Sequence, residues 1–278
     1  MKKFLLIIPA LFLGCALTQN NAEIDKKIEQ TKIENKLIKR YQISSEALIP
    51  TDDGYLFTLP QGDGIAIYKL NKNYDLVQKK VFPLLLDVKK VKYKNGKIYI
   101  IGYDQNKNKP AFLETDKDLK SYKLKHFANK YDIPNDFLIE NGKLIVLLNT
   151  FKNHNPDIEL YINGKTIIFP NPDSENGKFL IKKDGGYYII GSIQHPGEDL
   201  LIMFVKNGKI IWSKTYDFGM EDSPSSVTVK DGKIIIDVIS QDYMGAQNEF
   251  LITIDNNGKI IKIKKGIEFK ALPTKFRT

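Results

Sequence analysis

Two series of short turn motifs recur along this chain with a period near 44 residues, and that period constrains the fold more than any other feature. The first series is Asp53-Gly54, Asn95-Gly96, Asn141-Gly142, Gly185-Gly186 and Asp231-Gly232, with steps of 42, 46, 44 and 46 residues between the second members. The second sits between them: Lys72-Asn73, Lys117-Asp118, Asn163-Gly164, Asn207-Gly208 and Asn257-Gly258. Asn-Gly and Asp-Gly supply the positive φ angles that tight hairpins need. The intervening runs are short and rich in Ile, Val, Tyr and Phe, the residues of half-buried strands.

Two hairpins per repeat mean four strands per repeat. A lone four-stranded antiparallel sheet leaves its faces uncovered, whereas sheets set radially cover each other. The expectation is an all-β fold, a β-propeller of about five four-stranded blades. The blades draft as Ser44 to Phe82, Leu86 to Phe127, Ile133 to Phe169, Lys178 to Tyr216 and Ser223 to Lys265. Residues 35–41 look like a further outer strand, which either closes the ring by lying in the last blade or belongs, with residues 267–272, to a degenerate sixth blade; five blades is the preferred count.

Within the fourth repeat, Gly185-Gly-Tyr-Tyr-Ile-Ile-Gly-Ser192 is followed by Asp199-Leu-Leu-Ile and then Asn207-Gly-Lys-Ile-Ile-Trp-Ser-Lys-Thr-Tyr216. This stretch resembles the repeat of bacterial secreted β-propeller proteins: a Gly-Gly-aromatic strand, an acidic loop, an Asn-Gly turn and a Trp-x-Lys-x-Tyr strand. The resemblance covers residues 185–216, while repeats one to three share its period and turns. It implies a propeller and export, and no particular activity, because propellers host unrelated functions.

The N-terminus points the same way. Lys2 and Lys3 precede an apolar run over residues 4–13, and Gly14-Cys15 follows. A basic start, a short apolar segment and a small residue are the layout of a secretory signal, and the run is about half of what a membrane-spanning helix needs. Cys15 is the single cysteine. The segment resembles a bacterial lipoprotein signal, which implies cleavage before Cys15 and lipid on its thiol. The expected organisation is a signal peptide at 1–14, a lipid-anchored polar tether at 15–35 and the propeller at 36–278. Ala16, rather than an acid, follows the anchor, which by analogy with lipoprotein sorting favours the outer membrane. The protein is expected to be held on the cell envelope through its N-terminal lipid, without a spanning helix.

The formal charge is +9, and removal of residues 1–14 takes Lys2 and Lys3 with it, leaving +7. Only Arg40 and Arg277 are arginines. Nucleic-acid sites favour arginine forks, so evenly scattered lysine argues against a nucleic-acid partner.

Function is expected on the loops joining second to third strands, which open on one face of a propeller. They present Asp104, His154, Asp157, His195, Asp199, Asp242 and Tyr243. His154 and His195, in equivalent loops of adjacent blades with Asp157 and Asp199 beyond them, are weak candidates for a metal site. Asp87, Asp136 and Asp222 stand just before three inner strands and are weak candidates for carboxylate catalysis, which needs two acids about 5–10 Å apart. Trp212, Tyr216, Phe82, Phe127 and Phe169 recur at outer-strand ends and read as blade-to-blade packing. No Ser-His-Asp order, phosphate loop or Cys-x-x-Cys occurs, and no cofactor is expected. Two functions stay open: a binding or scaffold module for an envelope protein or glycan, and a glycan-active hydrolase with an axial carboxylate site.

Overall fold

The computed structural model describes residues 31–44, 47–153 and 155–266. Cys15, the rest of the N-terminal signal and residues 267–272 lie outside the described residues. The chain divides after Pro83 into two compact units.

The first unit holds a helix over residues 31–41 and one four-stranded antiparallel sheet, β1 (Ile49–Pro50), β2 (Gly54–Gln61), β3 (Gly64–Asn71) and β4 (Leu76–Phe82), in that order. The helix replaces the outer strand expected at 35–41. Ile33, Leu37 and Tyr41 are spaced by four and therefore share one helical face. Leu37 is fully buried with Ile43, Phe57 and Leu70, and Ile33 and Tyr41 pack against that group. Lys36 and Arg40, one position earlier in each turn, pair with Asp75 at 3.1 and 2.8 Å. Gln42 at φ 58° closes the helix, its N–H donating to the Ile38 carbonyl. With the spare strand gone, the described strands form five four-stranded blades, the last two joined in one eight-stranded sheet.

The second unit contains four blades: β5 (Leu86–Lys94), β6 (Lys97–Asp104), β7 (Lys109–Asp116) and β8 (Tyr122–His126); β9 (Ile133–Glu140), β10 (Lys143–Asn153), β11 (Asn155–Ile162) and β12 (Lys165–Phe169); β13 (Ser174–Lys183), β14 (Gly186–His195), β15 (Gly197–Lys206) and β16 (Lys209–Tyr216); and β17 (Glu221–Lys230), β18 (Lys233–Gln241), β19 (Gln247–Ile254) and β20 (Ile260–Lys265). Strands in each blade pair in sequence order. A single parallel bridge, Glu198 to Glu221, ties the last two blades together at their entry. This is the propeller architecture, with five four-stranded blades numbered here in chain order.

Alternation explains the continuous apolar runs. In β15, Leu201, Met203 and Val205 point into the core shared with blade three, while Leu200, Ile202 and Phe204 point into the core shared with blade five. Both faces are buried, so the strand reads as one apolar stretch. Each such side chain contributes about 1.5–3 kcal/mol. Phe127 and Phe169 join the inter-blade cores, and Trp212 and Tyr216 pack onto the core between blades four and five. The indole meets Tyr188 edge-on, with centroids 5.7 Å apart. Outer strands such as β16 and β20 are lysine-rich and largely exposed, which discourages edge pairing.

In the second unit the first-to-second and several third-to-fourth hairpins use two residues, both at positive φ: Asn95-Gly96, Asn141-Gly142, Asn163-Gly164, Asp184-Gly185, Asn207-Gly208 and Asp231-Gly232. The turn expected at Gly185-Gly186 is thus one residue earlier, and Gly186 opens β14. In the first unit three residues, Thr51 to Asp53, join β1 to β2, and the pair expected to turn there, Asp53-Gly54, is not at positive φ, Gly54 opening β2. Where the third-to-fourth hairpin has no two-residue pair at positive φ, an Asx side chain closes it, the expected Asn257-Gly258 turn included, since Gly258 alone of that pair is at positive φ. Asn71, Asp116 and Asp255 accept N–H groups two and four residues on.

Each inner strand of the second unit carries one bulge at the same register. Lys89, Asn135, Lys178 and Ser225 are skipped by the ladder, each five residues before the residue that closes the hairpin. Beside the third bulge Gly191 faces Gly177, and a Cβ at Gly191 would sit 2.0 Å from the Asn176 carbonyl oxygen, so only glycine fits.

Candidate functional site

The entry end of the second unit gathers the features that could carry function. Residues of blades two and three and of their connection line an open pocket of about 330 Å³: Asp87 and Lys89 on β5, Tyr103 on β6, Tyr131 in the connection, Ile133 on β9 and Phe151 on β10. Lys89 Nζ lies 2.7 Å from Asp87 Oδ2. Tyr131 and Phe151 are 62% and 47% exposed, large for aromatic side chains with a core alongside. Tyr131 is held at φ 68°, a conformation that bulky residues rarely adopt, and such strain concentrates at functional positions. Burial pushes the Tyr103 hydroxyl up, against the opposing effect of the Tyr131 N–H. A mostly aromatic wall with one charged edge suits a ligand with an apolar face and hydroxyl groups.

The three candidate catalytic acids lie within inner strands, where ladder pairing begins earlier than the turn spacing suggests, and each is engaged differently. Asp87 is exposed on β5 and lines the pocket. Asp136 is buried on β9. Its Oδ1 lies 2.7 Å from Lys92 Nζ and accepts the Phe137 N–H, and its Oδ2 accepts the Leu180 N–H at 2.9 Å. Lys92, on β5, also donates to the Phe137 carbonyl and sits over that ring. Asp136 thereby links three successive blades. Asp222 is fully buried on β17, with Oδ2 accepting the Phe218 N–H at 2.6 Å, and burial pushes its carboxyl up.

The residues expected on second-to-third loops divide. Asp242 and Tyr243 do occupy a loop, where Asp242 accepts the Met244 and Ala246 N–H groups and Tyr243 is largely exposed. Asp104 ends β6 and is buried, accepting the Asn106 and Lys107 N–H groups and lying 2.7 Å from His126 Nε2. Burial raises its carboxyl, but His126 and those two N–H groups outweigh it and leave Asp104 below its ordinary value. Asp157 and Asp199 are strand residues instead, because β10–β11 and β14–β15 pair almost to their tips. Asp157 is buried on β11 and accepts the Asn171 N–H, and Asp199 is half-buried on β15. His154 lies outside the described residues, and His195 is described only as the last backbone position of β14.

The sequence names Asp222 but does not reveal that it belongs to a repeated buried acid. Asp132, Glu175 and Asp222 each stand eight residues before the residue that closes the first hairpin of their blade, Glu140, Lys183 and Lys230. All three are at most 2% exposed, and each accepts from the preceding inter-blade connection: Asp132 from the Asn129 N–H, Glu175 from Asn171 Nδ2, Asp222 from the Phe218 N–H. In blade two the equivalent position is Leu86. Burial drives Glu175 up to about 6, with the Asn171 amide opposing and the Asp157 charge adding to the rise. Beside it, Glu175, Glu198, Ser192 and Gln194 line a polar cleft of about 190 Å³.

No protein-family model and no curated protein matches the chain. Among solved structures, the dihydro-heme d1 dehydrogenase NirN, in complex with DHE, aligns at 12% identity with a TM-score of 0.50, over 77% of this chain and 46% of that one. An apocarotenoid oxygenase of Synechocystis aligns at 10% identity with a TM-score of 0.51, over 77% of this chain and 58% of that one. A bifunctional GH43-CE protein of Bacteroides eggerthii aligns at 14% identity with a TM-score of 0.45, over 79% and 35%. The chain thus spans about a third to just under three fifths of the structures it resembles. At these identities the likeness speaks to the fold alone.

Proposed function

We propose that this protein is an exported, lipid-anchored binding propeller of the cell envelope that holds a short glycan in the pocket between its second and third blades. The observation that carries the reading is the pocket itself: exposed Tyr131 and Phe151 beside the Asp87–Lys89 pair. Sugar rings offer an apolar C–H face to aromatic walls and hydroxyl groups to a carboxylate or ammonium, which is the chemistry arranged here. Export and anchoring are supported by Lys2, Lys3, the apolar run before Cys15, and the likeness of residues 185–216 to secreted propeller repeats.

The carboxylates bear on the alternative, a glycan-active hydrolase. Of the three candidate acids, Asp87 alone lines this pocket, and the oxygens of Asp136 are occupied by Lys92 and two backbone N–H groups. Hydrolysis would need a second carboxylate across the bound sugar, so binding without turnover is the favoured outcome.

The test is a glycan array followed by calorimetry on the full chain. Binding that falls at least tenfold in Tyr131→Ala and in Phe151→Ala, with no cleavage of the bound glycan, is expected. Failure of every glycan to bind, or binding indifferent to both substitutions, would overturn the reading. Cleavage lost in Asp87→Asn would establish the hydrolase instead.

A further inference from the structure

A second group of side chains, away from the glycan pocket, lies where blade four meets blade five. One carboxylate oxygen from each of Asp199, Asp217 and Asp222 lies within 4.8 Å of the others, and no other triple of potential ligands does so among the described residues. Calcium binds oxygen at about 2.3–2.6 Å, so two ligands of one ion stand at most about 5 Å apart. The three oxygens therefore fit a single calcium coordination shell.

An independent observation points to a ligand. Asp222 is fully buried, and while its Oδ2 accepts the Phe218 N–H, its Oδ1 is buried with no hydrogen-bond partner. A buried carboxylate oxygen left bare is costly, and native structures satisfy such atoms with a donor, a water or an ion. Neither Asp217 nor Asp222 makes a salt bridge with a lysine or arginine among the described residues. The rim member, Asp217, is exposed and accepts the Gly219 N–H through Oδ1. An ion held here would therefore keep waters on its open side.

We propose that Asp199, Asp217 and Asp222 form a calcium site that staples the fourth blade to the fifth. The donor set is all oxygen and all anionic, which selects a hard cation over zinc or copper. The ligands come from three separate places, β15, the β16–β17 connection and β17. Such a set suits the irregular geometry calcium tolerates better than the strict octahedron of magnesium. The location supports a structural role. Here the Glu198–Glu221 bridge and the Glu198 N–H to Met220 carbonyl bond are the backbone links between the two blades. Affinity in the range of extracellular calcium modules, about 0.1–1 mM, is expected.

The experiment is calorimetry and thermal melting of the chelator-treated full chain titrated with calcium chloride, with magnesium chloride in parallel. One calcium per chain and a melting temperature raised by about 5–10 °C at a hundredfold excess over the dissociation constant are expected. Asp217→Asn keeps the acceptor for Gly219 and lies on the rim, so its metal-free melting temperature matches the wild type while its calcium affinity falls at least tenfold. Asp222→Asn abolishes binding, and Asp217→Asn carries the test if that buried substitution does not fold. The proposal is overturned if about 10 mM calcium gives neither heat nor a shift, if Asp217→Asn retains full affinity, or if magnesium binds as tightly.

Discussion

Replacing Asp136 with alanine separates a structural role from a catalytic one. The side chain is 6% exposed, and its partner Lys92 is 32% exposed. Removing the carboxylate strands a half-buried ammonium and leaves the buried Leu180 and Phe137 N–H groups without their acceptor. Breaking a buried pair by deleting one partner costs about 3–5 kcal/mol. Lys92 can turn part of its charge to solvent, so the lower half of that range is expected, about 3–4 kcal/mol. For a protein of this size each kcal/mol lowers the melting temperature by about 2–4 °C, so the fall should be about 6–16 °C. Urea unfolding of the wild type, Asp136→Ala, Lys92→Met and the double variant gives the coupling directly, with about 1–3 kcal/mol expected between two groups in contact. Because Lys92 is gone in the double variant, losing Asp136 there should cost less than losing it alone. An Asp136→Ala protein that melts within about 2 °C of wild type, or a cycle with no coupling, would refute the inter-blade role and return Asp136 to the catalytic candidates.

Two further predictions follow from single residues. Glu175 is neutralised near pH 6 in the folded chain against 4.5 as a free side chain. The folded state therefore binds the extra proton, and the contribution of this group to stability falls as pH rises from about 4.5 to about 6, then levels off. Glu175→Gln should remove that decline and gain about 1–2 kcal/mol at pH 7, read as the difference between urea-unfolding series from pH 4 to 8; a difference constant with pH would contradict the burial argument. At the N-terminus, expression with labelled palmitate should label the chain and Cys15→Ser should abolish the label, whereas a mature terminus mapped to Ala22 or beyond would remove the lipid anchor from the reading and leave export standing.

The blades were legible because the turns are local. Asn-Gly and Asp-Gly pairs adopt positive φ at low cost, so their spacing reports most of the hairpins without tertiary knowledge, and the Trp-x-Lys-x-Tyr strand read after Asn207-Gly208 coincides with β16. The helix at 31–41 was misread because Leu37, Ile38 and Tyr41 suit either period over so short a run. The deciding feature is what lies between Ile33, Leu37 and Tyr41: a strand would put Asn35 and Lys39 on their face, whereas a helix turns both out to solvent. Strand length at the tips was misread for a different reason. Thr150 pairs with Asp157 and Ile193 with Asp199, although polar residues, prolines and a glycine crowd both stretches and resemble loops.

The candidate site was less legible, because a carboxylate looks the same in sequence whether it caps a connection, bridges two blades or faces solvent. Spacing measured from the hairpins resolves some of this. Asp132, Glu175 and Asp222 share one offset, so each blade from the third onward begins on a buried acid that receives a hydrogen bond from the connection before it. What differs between the three junctions is the residue brought in from the preceding blade. Pro110 on β7 is the register equivalent of Asp157 on β11 and Asp199 on β15, each preceding the residue that pairs with the end of its outer strand. The junction of blades two and three therefore holds a single acid from these two positions, and the later two junctions hold two. The junction of blades three and four has an amide, Asn171, reaching Glu175, whereas that of blades four and five adds a third acid, Asp217. One repeated backbone position thus carries in turn a capping acid, an acid raised to about 6 and one member of the acidic triad proposed to bind calcium, and the neighbour supplied by the adjoining segment decides which. The scaffold is repetitive and its chemistry is not, so the functional residues of this chain are found by comparing its blades with one another and asking where the match fails.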